Sequence, residues 1–288
     1  MPLTGLAIHV RLEALHADGT ALSATLQSAA GEQFAAHRLE WQPKDGVRLG
    51  ISESARYQST TWQPLYLMGV LPYVLVQRML DQDEPDAKVA NRNNIMLAAD
   101  VAWRLAPGTR LYGEVLADDI HFQDTGTPNK YAYQFGWEGV GSFRRTRLVW
   151  GTEFTRVTRY VYTSFFGRDF TAQGRPLGFP FAPDARRLRV HLAWDLSPAW
   201  QLTGVFARTE KGENSVTEPF IPGVSPNAVG FEGVVEETRD AEGGVRWWPA
   251  GGIDLALTVG YRWTDGAVHV AGVRANDPRG SFAIRLVR

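Results

Sequence analysis

The densest group of acidic side chains lies in one short segment. Glu114, Asp118 and Asp119 are followed closely by His121, and carboxylates beside a histidine could activate water for hydrolysis or bind a cation. Glu114 and Asp118 share one parity, and therefore one face of an extended strand, whereas Asp119 falls at the strand end. We favour a row of carboxylates that pairs with neighbouring arginines, with hydrolysis and cation binding as the alternatives.

Arginines recur on the polar parity of several alternating segments and are mixed there with Asp and Glu. Such a face is polar and nearly charge-balanced. Its functional interpretation is a selectivity lining or a site for anionic sugars, and its structural interpretation is cross-strand ion pairing. We favour pairing, and the predicted network consists of Arg104, Glu114, Asp118, Asp119, Arg147, Arg189 and Arg262.

A segment near residues 160–186 combines aromatic rings with guanidinium groups. Rings can stack on sugars, and guanidinium can bind their acidic groups. The candidate glycan contacts are Tyr160, Tyr162, Phe166, Arg168 and Arg175. The alternative is that the aromatic side chains fold inward and pack the loop.

Other chemistries have little support in the sequence. Cysteine is absent, and the histidines lie on separate elements without ligand spacing, so we expect no metal site. Phosphate-loop, dinucleotide-binding and hydrolase-elbow motifs are also absent, so we expect no cofactor. The 30 basic and 31 acidic residues give a net charge of −1, which does not favour a nucleic-acid partner.

The elements that carry these side chains are predicted to be strands. From Ile253 to Thr264, every large apolar residue has one parity and every small, polar or charged residue has the other. This period of two is typical of a β-strand. The same alternation occurs near residues 6–12, 94–104, 130–138 and 188–195.

The lengths of the connections between strands distinguish a membrane β-barrel from a soluble β-sheet protein. Tight turns such as Ala106-Pro107-Gly108 and Ser197-Pro198-Ala199 alternate with long segments, and tryptophans lie near the strand ends. An up-and-down outer-membrane β-barrel has short periplasmic turns, long outer loops and aromatic girdles. We therefore predict an all-β, antiparallel, up-and-down transmembrane barrel in a single domain over residues 1–288. The main long loops are expected near residues 58–93, 163–186 and 211–233, and a further long segment is expected at 266–279. The first of these loops would either plug the lumen or form short helices.

The same pattern predicts about thirteen strands, with the first and the last running toward the short-turn side. Bacterial single-chain barrels have an even number of strands. The N-terminus also lacks the basic stretch and apolar core of a secretory signal. We therefore expect a signal peptide and N-terminal strands to be missing from this sequence.

Several runs stand out along the predicted strands: His37-Arg38-Leu39-Glu40-Trp41, Arg48-Leu49-Gly50-Ile51-Ser52-Glu53, Asn93-Asn94-Ile95, Trp103-Arg104-Leu105-Ala106-Pro107-Gly108, the stretch from Leu111 to Ile120, and Lys130-Tyr131-Ala132-Tyr133-Gln134-Phe135-Gly136. These runs resemble the capsule assembly (Wzi) family of outer-membrane proteins. The resemblance covers residues 33–140. The rest of the chain resembles the family only in its pattern of strands and connections. It implies an eighteen-stranded barrel that helps to attach capsular polysaccharide at the cell surface.

Together these features favour a non-enzymatic protein of the cell outer membrane that assembles or anchors polysaccharide. The expected partners are an acidic capsular or exopolysaccharide, outer-membrane lipid and the barrel assembly machinery. A porin-like channel lined by the polar face is the alternative. An outer-membrane hydrolase built around Asp118, Asp119 and His121 is a third hypothesis.

Overall fold

The computed structural model describes residues 4–14, 17–27, 32–58, 64–67, 71–81, 93–119, 126–164, 169–172, 174–226, 230–249 and 252–286. Thirteen long strands form one sheet in which each strand pairs with the next strand along the chain. Every pairing is antiparallel. The sequence-based prediction of an antiparallel, up-and-down all-β fold is confirmed.

The first eight strands precede the longest connection. They are β1 (Thr4–Ala14), β2 (Ala17–Gln27), β3 (Glu32–Lys44), β4 (Val47–Gln58), β5 (Asn94–Ala106), β6 (Thr109–Asp119), β7 (Lys130–Phe143) and β8 (Thr146–Val157). Two helices, α1 (Pro64–Leu67) and α2 (Tyr73–Asp81), lie between β4 and β5. Neither described helix is long and apolar enough to cross a membrane.

The remaining long strands complete the sheet. They are β11 (Ala185–Ser197), β12 (Trp200–Lys211), β13 (Glu236–Trp247), β14 (Ile253–Asp265) and β15 (Arg274–Leu286). A separate hairpin of β9 (Thr171–Ala172) and β10 (Arg175–Pro176) lies in the connection between β8 and β11. A single 3₁₀ turn, Ala267–His269, precedes β15.

Short and long connections alternate from β3 onward, and residues 28–31 are the one short connection on the long side. The predicted loop from 266 to 279 is shorter than expected, because β15 already begins at Arg274. Pro278, which suggested a loop, pairs with Tyr261 inside this strand. Proline lacks an N–H, but β15 is the last strand in the sheet order, where an edge tolerates that loss.

The register separates the two faces of the sheet as the alternation predicts. One face carries exposed apolar side chains such as Leu39, Ile51, Val101 and Trp137, and we call it the apolar face. The other carries charged side chains such as Arg38, which pairs with Asp100 on β5, and we call it the polar face. Most strands whose side chains the structure describes carry large exposed apolar residues, which is typical of a surface that contacts lipid.

The helices between β4 and β5 pack on the apolar face. Tyr57 and Tyr66 stack with ring centroids 4.0 Å apart, and Tyr66 also contacts Tyr73 at 5.3 Å. These rings and Val76 form a buried cluster against Ala35 and Ala55. The sequence suggested that this segment plugs the lumen or forms short helices. The described part forms helices, and they lie on the face opposite the polar one.

Candidate functional site

The connection between β8 and β11 is residues 158–184, and its described parts (158–164, 169–172 and 174–184) lie across the polar face. Its Tyr162 N–H donates to Asp118 Oδ2 of β6 at 2.8 Å. Arg56 of β4 donates through Nη1 to the carbonyl oxygens of Asp169 and of Thr171, the latter at 2.7 Å. Phe170 meets Phe34 of β3 edge to face, with centroids 5.7 Å apart. The connection therefore reaches from β8 back to β3.

An apolar cluster fixes this connection to the sheet. Tyr162, Val161, Phe170 and Phe179 pack against the side chains of Met96, Leu116, Ala132 and Val157 on β5, β6, β7 and β8. All of these side chains are buried. Burying one large apolar side chain contributes about 1.5–3 kcal/mol, so the cluster is a substantial anchor.

Tyr162 is the centre of this cluster and is fully buried. Its hydroxyl oxygen accepts the N–H of Phe179 at 2.9 Å, which satisfies the polar end of the ring. Burial raises the pKa of Tyr162, because the phenolate would lose its solvation. Its φ is 72°, in the left-handed region that non-glycine residues rarely adopt. The surrounding contacts hold this residue in a strained backbone conformation.

Tyr160 links the first connection to a second one, residues 212–235. Its N–H donates to Asn214 Oδ1 at 2.9 Å, and its hydroxyl donates to the carbonyl of Pro226 at 3.2 Å. Its ring meets Phe220 edge to face at 5.4 Å. Burial, with the nearby charge of Glu232, raises the pKa of Tyr160. The two connections are therefore interlocked.

Asp184 strengthens the interlock from the other end of the first connection. It is completely buried and accepts the N–H of Glu232 at 2.7 Å. Arg156 and Arg159 lie 3.8 and 3.9 Å from its carboxylate oxygens. Phe231 of the second connection packs under the guanidinium of Arg156 at 4.2 Å.

These positions correct part of the expected glycan site. Tyr160 and Tyr162 are 2% and 0% exposed, so in this arrangement neither ring can stack on a sugar. They pack the connections together, which was the alternative interpretation. Phe166 and Arg168 lie outside the described residues. Arg175 is exposed on the β9–β10 hairpin and stays a candidate contact.

Two arginines of the predicted network, Arg147 and Arg262, pair with carboxylates outside it. Arg147 donates to Asp195 at 2.8 Å, and Gln201 donates to the other oxygen of that carboxylate at 2.7 Å. Arg262 donates to Asp240 at 2.6 Å. These pairs join neighbouring strands on the polar face.

Other predicted members have different partners. Asp118 accepts the Tyr162 amide, and Asp119 lies 3.4 Å from Lys130 Nζ. Glu114 faces Asp100, which is itself bound by Arg38. Arg189 contacts His191 at 3.2 Å.

Two further observations bear on the predicted chemistry. Arg104 is exposed and has no ion pair with the described residues. His121 lies outside the described ranges, and among the described residues no group of three or more metal-type ligands occurs. The register of β6 shifts between Ala117 and Asp119, and the two carboxylates have separate partners, the Tyr162 amide for Asp118 and Lys130 for Asp119.

Sequence reasoning missed a charged group on the apolar face. Arg186, Arg208 and Arg239 have the parity of apolar neighbours on β11, β12 and β13, where they pair with Glu210 and Glu237. The signal in the sequence was charged residues near the strand ends, at positions where the alternation predicts apolar side chains.

Comparisons with known proteins agree with this architecture at the level of the fold. The chain is similar in structure to Wzi, an outer membrane protein involved in group 1 capsule assembly in Escherichia coli and described as a carbohydrate-binding β-barrel. The TM-score is 0.61 at 14% identity, over 92% of this chain and 55% of that one. This similarity shows the fold, which is the sheet of an outer-membrane β-barrel. The chain spans about half the length of Wzi.

A second structure, the siderophore receptor PirA from Acinetobacter baumannii, gives a TM-score of 0.39 at 12% identity, over 99% of this chain and 55% of that one. No family model and no curated protein sequence matches the chain.

Proposed function

We propose that this protein lies in the outer membrane and binds an acidic capsular or exopolysaccharide at the cell surface, where it assembles or anchors the polymer without catalysis. The observation that carries the proposal is the cover formed by residues 158–184 over the polar face. It reaches from β8 to β3 and interlocks with residues 212–235. The long-connection side of such a sheet faces the exterior.

The cover favours binding over transport. A porin requires an open polar lumen, whereas Met96, Leu116 and Ala132 on the polar face are buried beneath Tyr162 and its neighbours. Two described carboxylates of the acidic segment are also engaged, Asp118 by an amide and Asp119 by Lys130. Wzi, the structural neighbour, is described as carbohydrate-binding, which agrees with this proposal.

The proposed binding surface is the outer side of the cover. Arg175 is the described candidate for contact with an acidic sugar, because its guanidinium is exposed on the β9–β10 hairpin. Guanidinium binds carboxylate groups through charge-assisted hydrogen bonds. Outer-membrane lipid on the apolar face and the barrel assembly machinery are the other proposed partners.

The test is deletion of the gene followed by complementation. Deletion should release surface polysaccharide into the medium without lowering total synthesis, and the full-length gene should restore retention. Unchanged retention after deletion would refute the proposal. Single-channel recording in planar bilayers separates the alternative: we expect no large steady current, and such a current would favour a porin.

A further inference from the structure

Five charged side chains form a compact group on the apolar face, at the long-connection ends of β11, β12 and β13. We call this group the outer-wall cluster, and its members are Arg186, Arg208, Glu210, Glu237 and Arg239. Arg186, Glu210 and Glu237 are direct cross-strand neighbours, and Arg208 lies opposite Arg239. The cluster lies on the opposite face of the sheet from the cover, and Phe231 of the second connection packs against Arg186 with its ring centroid 5.4 Å from Cζ.

The carboxylates lie beneath the guanidinium groups and orient them. Glu210 accepts from Arg186 Nη2 at 2.8 Å and from Arg208 Nη2 at 3.1 Å. Glu237 accepts from Arg208 Nη2 at 2.8 Å and from Arg239 Nε at 2.5 Å. The Glu210 and Glu237 side chains are 11% and 18% exposed, whereas the three arginines are 46–50% exposed. The guanidinium groups therefore face outward.

Pairing within the cluster leaves positive charge and free donors. Three guanidinium groups against two carboxylates give a formal charge of +1. A guanidinium carries five N–H donors, and the bonds to Glu210 and Glu237 use only some of them. The remaining donors belong to guanidinium groups that are about half exposed, and such donors can bind phosphate oxygens.

The cluster borders the apolar surface that would contact lipid. Leu188, Phe206 and Trp263 lie on the same face beside it and are each exposed. An arginine on the lipid face costs about 2–4 kcal/mol at the bilayer midplane but about 0–1 kcal/mol near the interface. A cluster within four residues of the strand ends is therefore expected at the height of the lipid headgroups.

The opposite ends of the same strands have a different chemistry. There the apolar face carries Trp200 stacked on Trp247, with centroids 5.3 Å apart, and Trp194 one strand away. Tryptophan suits either membrane interface, but exposed arginines suit an interface rich in anionic headgroups. The difference between the two ends matches a membrane whose two leaflets differ in charge.

We propose that the outer-wall cluster binds the phosphate of an anionic lipid headgroup in the outer leaflet. The inference rests on the outer-membrane location proposed above and adds a partner on the outer wall. Arg186, Arg208 and Arg239 supply the donors, while Glu210 and Glu237 hold them in place. In a Gram-negative outer membrane, phosphorylated lipid A has the required chemistry.

The test measures retention of lipid A by the full-length protein purified in detergent micelles. One variant, R186Q/R208Q/R239Q, removes the donors. A second, R186Q/E210Q/R208Q/E237Q/R239Q, also neutralises the carboxylates, so that no unpaired acid is left at the interface. The matched control is R104Q/R110Q/R147Q, which removes three arginines from the polar face.

We expect both cluster variants to bind lipid A roughly a hundredfold more weakly, because three arginines are lost and each arginine near an anionic surface contributes about 1 kcal/mol. The control should retain lipid A like the wild type, and dephosphorylated lipid A should bind the wild type weakly. Equal retention by wild type and cluster variants would overturn the proposal, as would indifference to the phosphate. Complete displacement by inorganic phosphate would also overturn it, since the site would then not require a lipid.

This result is separable from the proposed function. Polysaccharide binding measured on the same preparations should be unaffected by the cluster substitutions. Loss of lipid A binding in the cluster variants, with polysaccharide binding intact, supports the inference. If the wild-type protein binds lipid A but no polysaccharide, only the proposed function is refuted.

Discussion

The backbone N–H of Tyr162 donates to Oδ2 of Asp118 at 2.8 Å, and this hydrogen bond joins the connection after β8 to the long-connection end of β6. Asp118 is thereby engaged by the chain itself rather than by an arginine. The contact explains how a connection that begins at β8 is held over neighbouring strands.

Removal of this acceptor should loosen the cover. Asp118→Ala leaves the Tyr162 N–H without a partner, which costs about 1–3 kcal/mol locally. Amide hydrogen exchange at Tyr162 should become faster. Asp119→Ala is the matched control, because Asp119 pairs with Lys130 and not with the Tyr162 amide. Equal exchange in both variants would contradict this role for Asp118.

The cover should also weaken at alkaline pH. Burial raises the pKa of Tyr162 and of Tyr160 above the ordinary value of about 10. The two tyrosines lose their protons more readily when the cover is unfolded. The free energy of unfolding of the cover is therefore highest below about pH 10 and falls as the pH rises further. Limited proteolysis at pH 8 and pH 11 measures this change. Tyr160→Phe/Tyr162→Phe should reduce the difference between the two pH values, and an unchanged difference would argue against these tyrosines.

Glu53 should stabilise α2 on the apolar face. Its carboxylate accepts the N–H groups of Tyr73 at 2.6 Å and Val74 at 3.3 Å, at the start of the helix, and lies 3.2 Å from His37. Glu53→Ala removes both acceptors and should cost α2 about 1–3 kcal/mol. Hydrogen exchange of α2 amides should accelerate. Ser54→Ala, on the opposite face of β4, should leave that exchange unchanged.

The ion pair of Arg38 with Asp100 should contribute to the stability of the sheet. Arg38 also contacts Glu40, and Glu114 faces Asp100 from β6. Arg38→Ala removes the cation that lies among the carboxylates of Glu40, Asp100 and Glu114. The substitution should lower the free energy of unfolding by about 1–3 kcal/mol. Arg48→Ala, which removes a more exposed pair 3.8 Å from Glu40, should have little effect. Urea unfolding followed by tryptophan fluorescence compares the two variants.

Much of the fold could be predicted from the sequence because strand alternation and connection length are local signals. These signals predicted an antiparallel meander of about thirteen strands, and the structure has thirteen long strands in one sheet. The start of β15 was missed because Pro278 and its charged neighbours are typical of a loop, whereas an edge strand accepts them. The position of α1 and α2 on the apolar face depends on tertiary packing that periodicity does not encode.

The candidate site was predicted less completely, for physical reasons. Tyr160 and Tyr162 have side chains suited to sugars, but the same rings also suit the interior of a cover, and residue type does not distinguish the two. Arg147 and Arg262 were expected to pair across strands and do so. The partner of Asp118 could not be predicted, since it is a backbone amide brought close by the long connection.

The central claim is that the outer side of the cover binds acidic surface polysaccharide. The most direct measurement is equilibrium binding of the labelled polysaccharide from the producing cell to purified full-length protein. We expect saturable binding that Arg175→Ala weakens about fivefold, as for loss of one charge-assisted contact of about 1 kcal/mol. Arg145→Ala, at the β7–β8 turn on the opposite side, should bind like the wild type. Absence of saturable binding by the wild-type protein would contradict the claim.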